Sequence, residues 1–224
     1  MEAAGAPAPL VYAPPESAPR VLHEDAALLA VDKPALLLTV PGKAAALADC
    51  LESRVRLQRP DARIVHRLDR PTSGVVVMPR TAEAHRHIGL QFERRQVRKR
   101  YIARVAGRPS EDAGSINAPL CGDWPRRPLQ MVHFTHGKPA RTEWRVLARE
   151  PGGVTRVVLW PATGRTHQLR VHMAWLGSPI LGDEFYAPPE VRAAAPRLQL
   201  HAAELSLRHP EDGAALTLSA PCPF

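Results

Sequence analysis

Three stretches of this chain carry side chains that could do chemistry. The first is His66-Arg67-Leu68-Asp69-Arg70-Pro71-Thr72-Ser73-Gly74, a carboxylate set between two guanidiniums. Cations this close favour the ionised carboxyl, and an ionised carboxylate on a loop can act as a nucleophile or a general base. Thr72, Ser73 and the Gly74 backbone could donate hydrogen bonds to a phosphate or to that carboxylate. An Arg-x-Asp-Arg segment alone also suits a plain surface ion pair. The second stretch is Gly164-Arg165-Thr166-His167-Gln168-Leu169-Arg170-Val171-His172. Arg165 falls at the start of an expected helix and Arg170 inside it, where the positive helix end attracts anions. An ordinary amphipathic helix with solvated arginines fits as well. In the third, Arg94-Arg95-Gln96-Val97-Arg98-Lys99-Arg100-Tyr101, five of the first seven residues are basic and an aromatic follows. Such a stripe holds phosphates without reading sequence, and a ring face can stack on an exposed base. The competing reading is a solvated helix end.

Other chemistries lack their parts. His-Arg-x-Asp is similar to the kinase catalytic loop, but the order is wrong and no Asp-Phe-Gly or glycine-rich loop occurs. Neither His85 and His87 nor His167 and His172 have the spacing or companion acids of a zinc site, so no metal is expected. Neither nucleotide-binding glycine motif is present, so no nucleotide cofactor is expected. The cysteines (Cys50, Cys121, Cys222) are odd in number and far apart, which suits a reducing compartment and hence the cytoplasm. No apolar run approaches ~18 residues, so no membrane span is expected. The first basic residue is Arg20, too late for a secretory signal's basic start.

Elements must bring these stretches together, and 224 residues are enough for one large domain or two small ones. Residues 1–19, rich in Ala and Pro, read as a flexible leader; the ordered domain is expected over 20–224. Short strands are expected at Val21-Leu22 and Leu28 to Val31, and a helix over 44–59 from the spacing of Leu47, Leu51 and Val55. The polar loop His66–Ser73 leads into a buried strand, Gly74–Met78. Thr81 can cap a helix running to about Arg95. Tyr101–Val105 alternates as a strand does, and 106–139, with five prolines and four glycines, reads as loops. Strands are expected at Thr142–Leu147, Val154–Trp160, Leu198–Leu207 and Ala215–Leu218, and a helix at about Thr166–Leu176. Runs of strands with few helices favour an α+β fold with a mixed, mostly antiparallel sheet.

Jointly the motifs are far more specific. His66-Arg-Leu-Asp69-x-x-Thr72-Ser-Gly74, Tyr101-Ile-Ala103 and Gly164-Arg-Thr-His-Gln-Leu-Arg170-Val-His172 together resemble the RluA family of pseudouridine synthases. Val31-Asp-Lys-Pro34, Gly177-Ser-Pro-Ile-Leu-Gly-Asp183-Glu-Phe-Tyr186 and Leu200-His-Ala202 fit the same pattern. The likeness runs from about Arg20 to Phe224. Cys121-Gly-Asp-Trp-Pro125, Gly137-Lys-Pro-Ala140 and Ala195-Pro-Arg-Leu198 are similar to the subgroup acting on both large-subunit (23S) ribosomal RNA and tRNA. Val75-Val-Val77 stands where many members carry leucines, which touches packing only.

The resemblance implies a mixed-sheet α+β fold in two lobes with flanking helices and a catalytic cleft between the lobes. It implies that Asp69 is the nucleophile that lets uracil leave its ribose, rotate and rejoin through C5, by attack on C1′ of the sugar or C6 of the base. Arg170 would pair with Asp69, Tyr101 would stack on the uracil and take part in removing the C5 proton, and Arg67 would fill the gap left by the flipped uridine. His66, Thr72, Ser73, Gly74, Arg165, His167 and Gln168 would bind substrate. No cofactor is needed, and a monomer is expected. The leader is too short for an S4-type RNA-binding domain, so the catalytic domain must hold the RNA itself. Two other readings are a noncatalytic RNA-binding or RNA-chaperone module on the same fold, and an Asp-dependent hydrolase, for which no second acid or metal cluster is apparent.

The net charge of +8 is concentrated. Residues 54–108 hold fifteen Lys or Arg against four acids, and the rest of the chain holds fifteen against eighteen. The basic band surrounds the Asp69 loop and reaches the strand of Tyr101, as an RNA-binding face would.

Overall fold

The computed structural model describes residues 12–224. Its centre is a nine-stranded sheet whose strands run in the order β1 (Arg20–Glu24), β2 (Leu28–Lys33), β3 (Ser73–Pro79), β10 (Leu200–Arg208), β4 (Arg98–Ala106), β9 (Val154–Pro161), β8 (Arg141–Glu150) and β5 (Ala113–Asn117). β11 (Ala215–Ser219) pairs with β10. A separate hairpin joins β6 (Leu120–Gly122) to β7 (Gln130–Val132). The β3–β10 pair is parallel and the other pairs of the described strands are antiparallel. The sheet is therefore mixed and mostly antiparallel, as expected.

The central strand β3, Ser-Gly-Val-Val-Val-Met-Pro, is buried along its whole length. Such a run is what a strand covered on both faces needs. Val75 and Val77 pack with Ile88 of α2 (Ala82–Glu93), while Val76 and Met78 face Leu51 and Val55 of α1 (Leu51–Arg56). A second apolar cluster gathers β4, β5, β8 and β9 under α3 (Gln168–Trp175). Tyr101 packs against that cluster and against the α1 cluster, so it stands at their seam.

Thr81 caps α2 by accepting from the Ala84 N–H. The helix expected over 44–59 is broken. A 3-10 turn at Ala45–Leu47 precedes α1, because Cys50 is extended and closes a reciprocal cap with Ser53. The stretch 106–139 is not all loop: β5, β6 and β7 lie in it, too short and too interrupted by Pro and Gly to show a period. A short helix, α4 (Pro189–Ala193), was also not expected.

Of the leader expected over 1–19, residues 1–11 lie outside the described residues. Tyr12 to Pro19 have no regular structure but are tied down: the Tyr12 hydroxyl donates to the Asp49 carbonyl, and Arg54 donates to the carbonyls of Pro15 and Ser17. Among the described residues no helix is long and apolar enough to cross a membrane.

Candidate active site

The loop before β3 carries Asp69 and is pinned on both sides of it. Thr39 donates its hydroxyl to the Leu68 carbonyl (2.7 Å) and accepts from the Leu68 N–H (3.2 Å). On the other side the buried Lys33 ammonium donates to the Arg70 carbonyl (3.2 Å) and also to Pro34 and Leu37. The Thr72 N–H closes the turn onto the Asp69 carbonyl. Burial pulls the Lys33 amine down to about 7, against the opposing pull of the nearby Asp69. Arg70 reaches across to Glu184 and ties the loop to the 183–186 turn.

Asp69 lines a cleft of about 290 Å³ together with Tyr101, Arg170, His66, Arg67, Thr72, Arg165, His167 and Gln168. Nine of the eleven site residues named from sequence thus meet in one place. Ser73 and Gly74 do not line it. Ser73 is buried and hydrogen-bonds His201 on β10 (2.9 Å). Gly74 sits at φ +117°, and a Cβ there would run into the Ala202 carbonyl. Both serve the β3–β10 contact that holds the loop in place, so the substrate-binding expectation for them is corrected.

Several cleft residues are committed to the protein itself. His66 accepts the Val77 N–H (2.9 Å) at Nε2 and stacks on Phe92. The β3–β10 register covers only Ser73 and Gly74, and this imidazole satisfies a donor further along that edge. Burial, aided by Lys99, pushes it down to about 3, which keeps it neutral. Gln168 spends its amide on Thr163, the Arg165 N–H, the Arg141 carbonyl and Thr142. It is a strut of the cleft wall. Arg165 donates Nε to the Pro139 carbonyl, and Arg67 is exposed.

Arg170 departs most from expectation. Its Nε and Nη2 grip Asp183 at 2.8 and 2.6 Å, with both side chains 1% exposed. The ion pair is with Asp183, not with Asp69. Asp183 also accepts the N–H groups of Phe185 and Tyr186, whose rings lie over the guanidinium. Nη1 is buried with no hydrogen-bond partner among the described residues. Two buried charges need a bidentate pair this well satisfied, and the remaining donor is left on a residue of the cleft.

Helix α3 begins at Gln168, two residues later than expected, because His167 is left-handed (φ 54°, ψ 16°). Tyr101 lies on β4 between Ala202 of β10 and Leu159 of β9. Burial, with the Asp69 charge beside it, pushes its hydroxyl well above the ordinary value for tyrosine. Lys99, two residues earlier, lines the same cleft and donates to the Thr163 carbonyl.

A family profile described as RNA pseudouridylate synthase matches residues 27–175, a span that includes Asp69, Tyr101 and Arg170. The chain belongs to this family of RNA pseudouridine synthases. It is 49% identical over 204 residues to the dual-specificity RNA pseudouridine synthase RluA of Escherichia coli O6:H1, covering 91% of this chain and 93% of that one. The RluA of Yersinia pestis is also 49% identical, with 91% and 99% covered. Among solved structures, human RNA pseudouridylate synthase domain containing 1 superposes with a TM-score of 0.78 at 29% identity, over 94% of this chain and 86% of that one. Human RNA pseudouridylate synthase domain containing 4 gives 0.75 at 26%, over 91% and 88%. The protein is thus an isomerase acting on uridines of RNA, and the reading as a noncatalytic RNA-binding module is not favoured.

Sequence reasoning gave no role to Thr39, Lys33, Asp183 or Tyr186 in this pseudouridine synthase. For Lys33, Asp183 and Tyr186 a signal existed, since each stands in a stretch that resembles the family. Thr39 had none.

Proposed function

We propose that this synthase isomerises uridines of 23S rRNA and of the tRNA anticodon stem–loop, with Asp69 as its nucleophile. The observation that carries the assignment is the convergence of Asp69, Tyr101 and Arg170, from three distant segments, on one cleft. Dual specificity is supported by the RluA relatives, dual-specificity RNA pseudouridine synthases that match nine-tenths of the chain, and the choice of 23S rRNA and tRNA by the likeness to the subgroup that acts on both.

Uridine is flipped out of its stack at a cost of a few kcal/mol, and the exposed Arg67 fills the gap it leaves. Asp69 attacks C1′ of the sugar or C6 of the base, and the N1–C1′ bond breaks. The uracil turns and rejoins C1′ through C5, which releases Asp69 as a free carboxylate. Tyr101 stacks on the ring, and its hydroxyl, kept protonated by burial and the Asp69 charge, takes up the C5 proton while passing its own to that carboxylate. Arg170, immobilised by Asp183, offers the free Nη1 to the Asp69 carboxylate. The reaction is internally balanced and needs no redox partner or added group. The enzyme acts as a monomer in the cytoplasm, where both RNAs are made and matured.

The experiment is Asp69→Asn, tested on transcribed 23S fragments and an anticodon stem–loop. RNA binding is retained and pseudouridine is abolished. Product from that variant refutes the nucleophile assignment, and wild-type product in only one RNA refutes dual specificity.

A further inference from the structure

The hydrogen bonds around His167, together with the cleft it lines, select its tautomer. The backbone N–H of Gln130 donates to the Tyr186 hydroxyl oxygen at 2.9 Å. The Tyr186 oxygen also lies 2.6 Å from His167 Nδ1. A phenol has one proton to give. Were Nδ1–H the donor, the Tyr186 oxygen would accept twice, and its own proton would have no partner among the described residues. When Tyr186 O–H donates to Nδ1 instead, the donor left over is His167 Nε2–H, and this one belongs to a residue that lines the open cleft, where a substrate can accept it, whereas Tyr186 does not line the cleft. Burial, the leading influence, pulls this imidazole below the ordinary histidine range, so the ring is neutral and its proton is on Nε2.

The ring is also fixed in place. His167 is held left-handed ahead of α3, its ring rests against Phe185 and Tyr186, and both neighbours hang from the buried Asp183. The protein thus spends several buried contacts on presenting one N–H donor at the wall of the cleft that holds Asp69. No protein acceptor for Nε2 is found among the described residues.

We propose that His167 Nε2–H is a base-reading donor that hydrogen-bonds a carbonyl oxygen of the flipped uracil, both before and after it turns. This deepens the reading of the cleft as the uracil site and rests on it. The symmetry of the base supplies the reason. Replacing N1 by C5 at the ribose is a half-turn of the ring about the line through N3 and C6. That half-turn exchanges the C2 and C4 carbonyls. A donor fixed in the protein therefore meets an oxygen in the uridine orientation and again in the pseudouridine orientation. Cytosine would present its amino group to the same donor in one of the two. Tyr186, which does not line the cleft, is a positioning residue that selects the tautomer.

The test uses full-length protein and the RNA fragment that the wild-type enzyme is found to convert, located by mapping pseudouridine with and without the protein. The target uridine is replaced by 2-thiouridine or 4-thiouridine, whose sulfur is a poor acceptor. Wild type loses kcat/KM by about tenfold on each, the scale of one hydrogen bond. His167→Phe is slow on uridine, but its additional loss on the thio substrates falls below about twofold. Tyr186→Phe lies between the two, because the freed Nδ1 lets the proton move to the other nitrogen. Circular dichroism and urea midpoints show whether each variant is folded. Equal thio penalties in wild type and in a folded His167→Phe overturn the proposal, and Tyr186→Phe with wild-type behaviour overturns the tautomer argument. Asp69→Asn is inactive on all substrates and keeps the nucleophile question separate.

Discussion

Asp183→Ala tests how much the protein depends on one buried carboxylate that takes no part in the reaction. Asp183 accepts four hydrogen bonds, from Arg170 Nε and Nη2 and from the N–H groups of Phe185 and Tyr186. Its removal leaves a guanidinium buried with no counter-charge within bonding distance among the described residues. Breaking a buried pair from one side costs about 3–5 kcal/mol. For a domain of this size, each kcal/mol moves the melting temperature by about 2–4 °C, so a fall of roughly 10 °C is expected. Asp183→Asn keeps one oxygen for the backbone N–H groups but turns an amide donor toward a guanidinium donor, so it recovers only part of the loss. Arg170→Met with Asp183→Leu removes both charges and regains most of the stability, since a buried pair contributes little net. It regains no activity. Urea denaturation followed by tryptophan fluorescence measures the difference, with an unchanged slope showing that the same surface unfolds. A loss under about 1 kcal/mol for Asp183→Ala refutes the argument that Arg170 is held as a charge in a dry site.

Further outcomes are open to measurement. The Lys33 amine lies near 7 in the fold against an ordinary 10.5. Between those values the unfolded chain binds more protons, so the urea midpoint rises with pH from about 7 toward 10; Lys33→Met removes much of that rise, the amine of Lys99, also lowered by burial, keeping the rest, and a wild-type midpoint flat over this range contradicts it. Tyr101→Phe keeps the ring but not the hydroxyl: single-turnover kinetics at saturating RNA should show slowed product formation with little change in KM, and an unchanged rate removes the hydroxyl from the proton transfer. RNA affinity falls steeply with salt. The slope should track the basic residues of the band that have no ion pair among the described residues, such as Arg67, Arg86, Arg94, Arg95, Arg98 and Arg100, rather than Arg54, Arg56, Arg59, Arg70, Arg80 and Arg104, which are paired with acids. Filter binding of Arg94→Gln/Arg95→Gln against Arg59→Gln/Arg80→Gln decides this.

The candidate catalytic groups stood out as an acid among cations, an aromatic after a basic run and an arginine in an expected helix, but each alone also suited a structural role, and their roles came from the joint resemblance to the synthase family. β3, α2, β8, β9 and α3 were legible from unbroken apolar runs or clear periods. What holds the groups was harder to read. Ser73 and Gly74 look like phosphate donors in sequence, but their partners, His201 and Ala202, lie some 128 residues away and only the fold reveals them. The same holds for Arg170, whose nearest opposite charge is set by the turn at Asp183. Thr39 carries no pattern at all; its hydroxyl matters only because the 34–39 loop passes beside Leu68. The charge band was real in sequence, yet part of it is spent on acids from outside the band such as Glu24, Asp49, Glu150 and Glu184.

Strand β10 lies between β3 and β4, although those two strands follow one another in the chain and β10 comes about a hundred residues later. Until it inserts, β3 and β4 are two unjoined edges, and the Asp69 loop has no fixed relation to Tyr101. During synthesis from the N-terminus, the residues proposed for catalysis are therefore all made before the strand that sets Asp69 beside Tyr101. The two halves of the sheet can join only when the segment from Leu200 onward is available to pair with both β3 and β4.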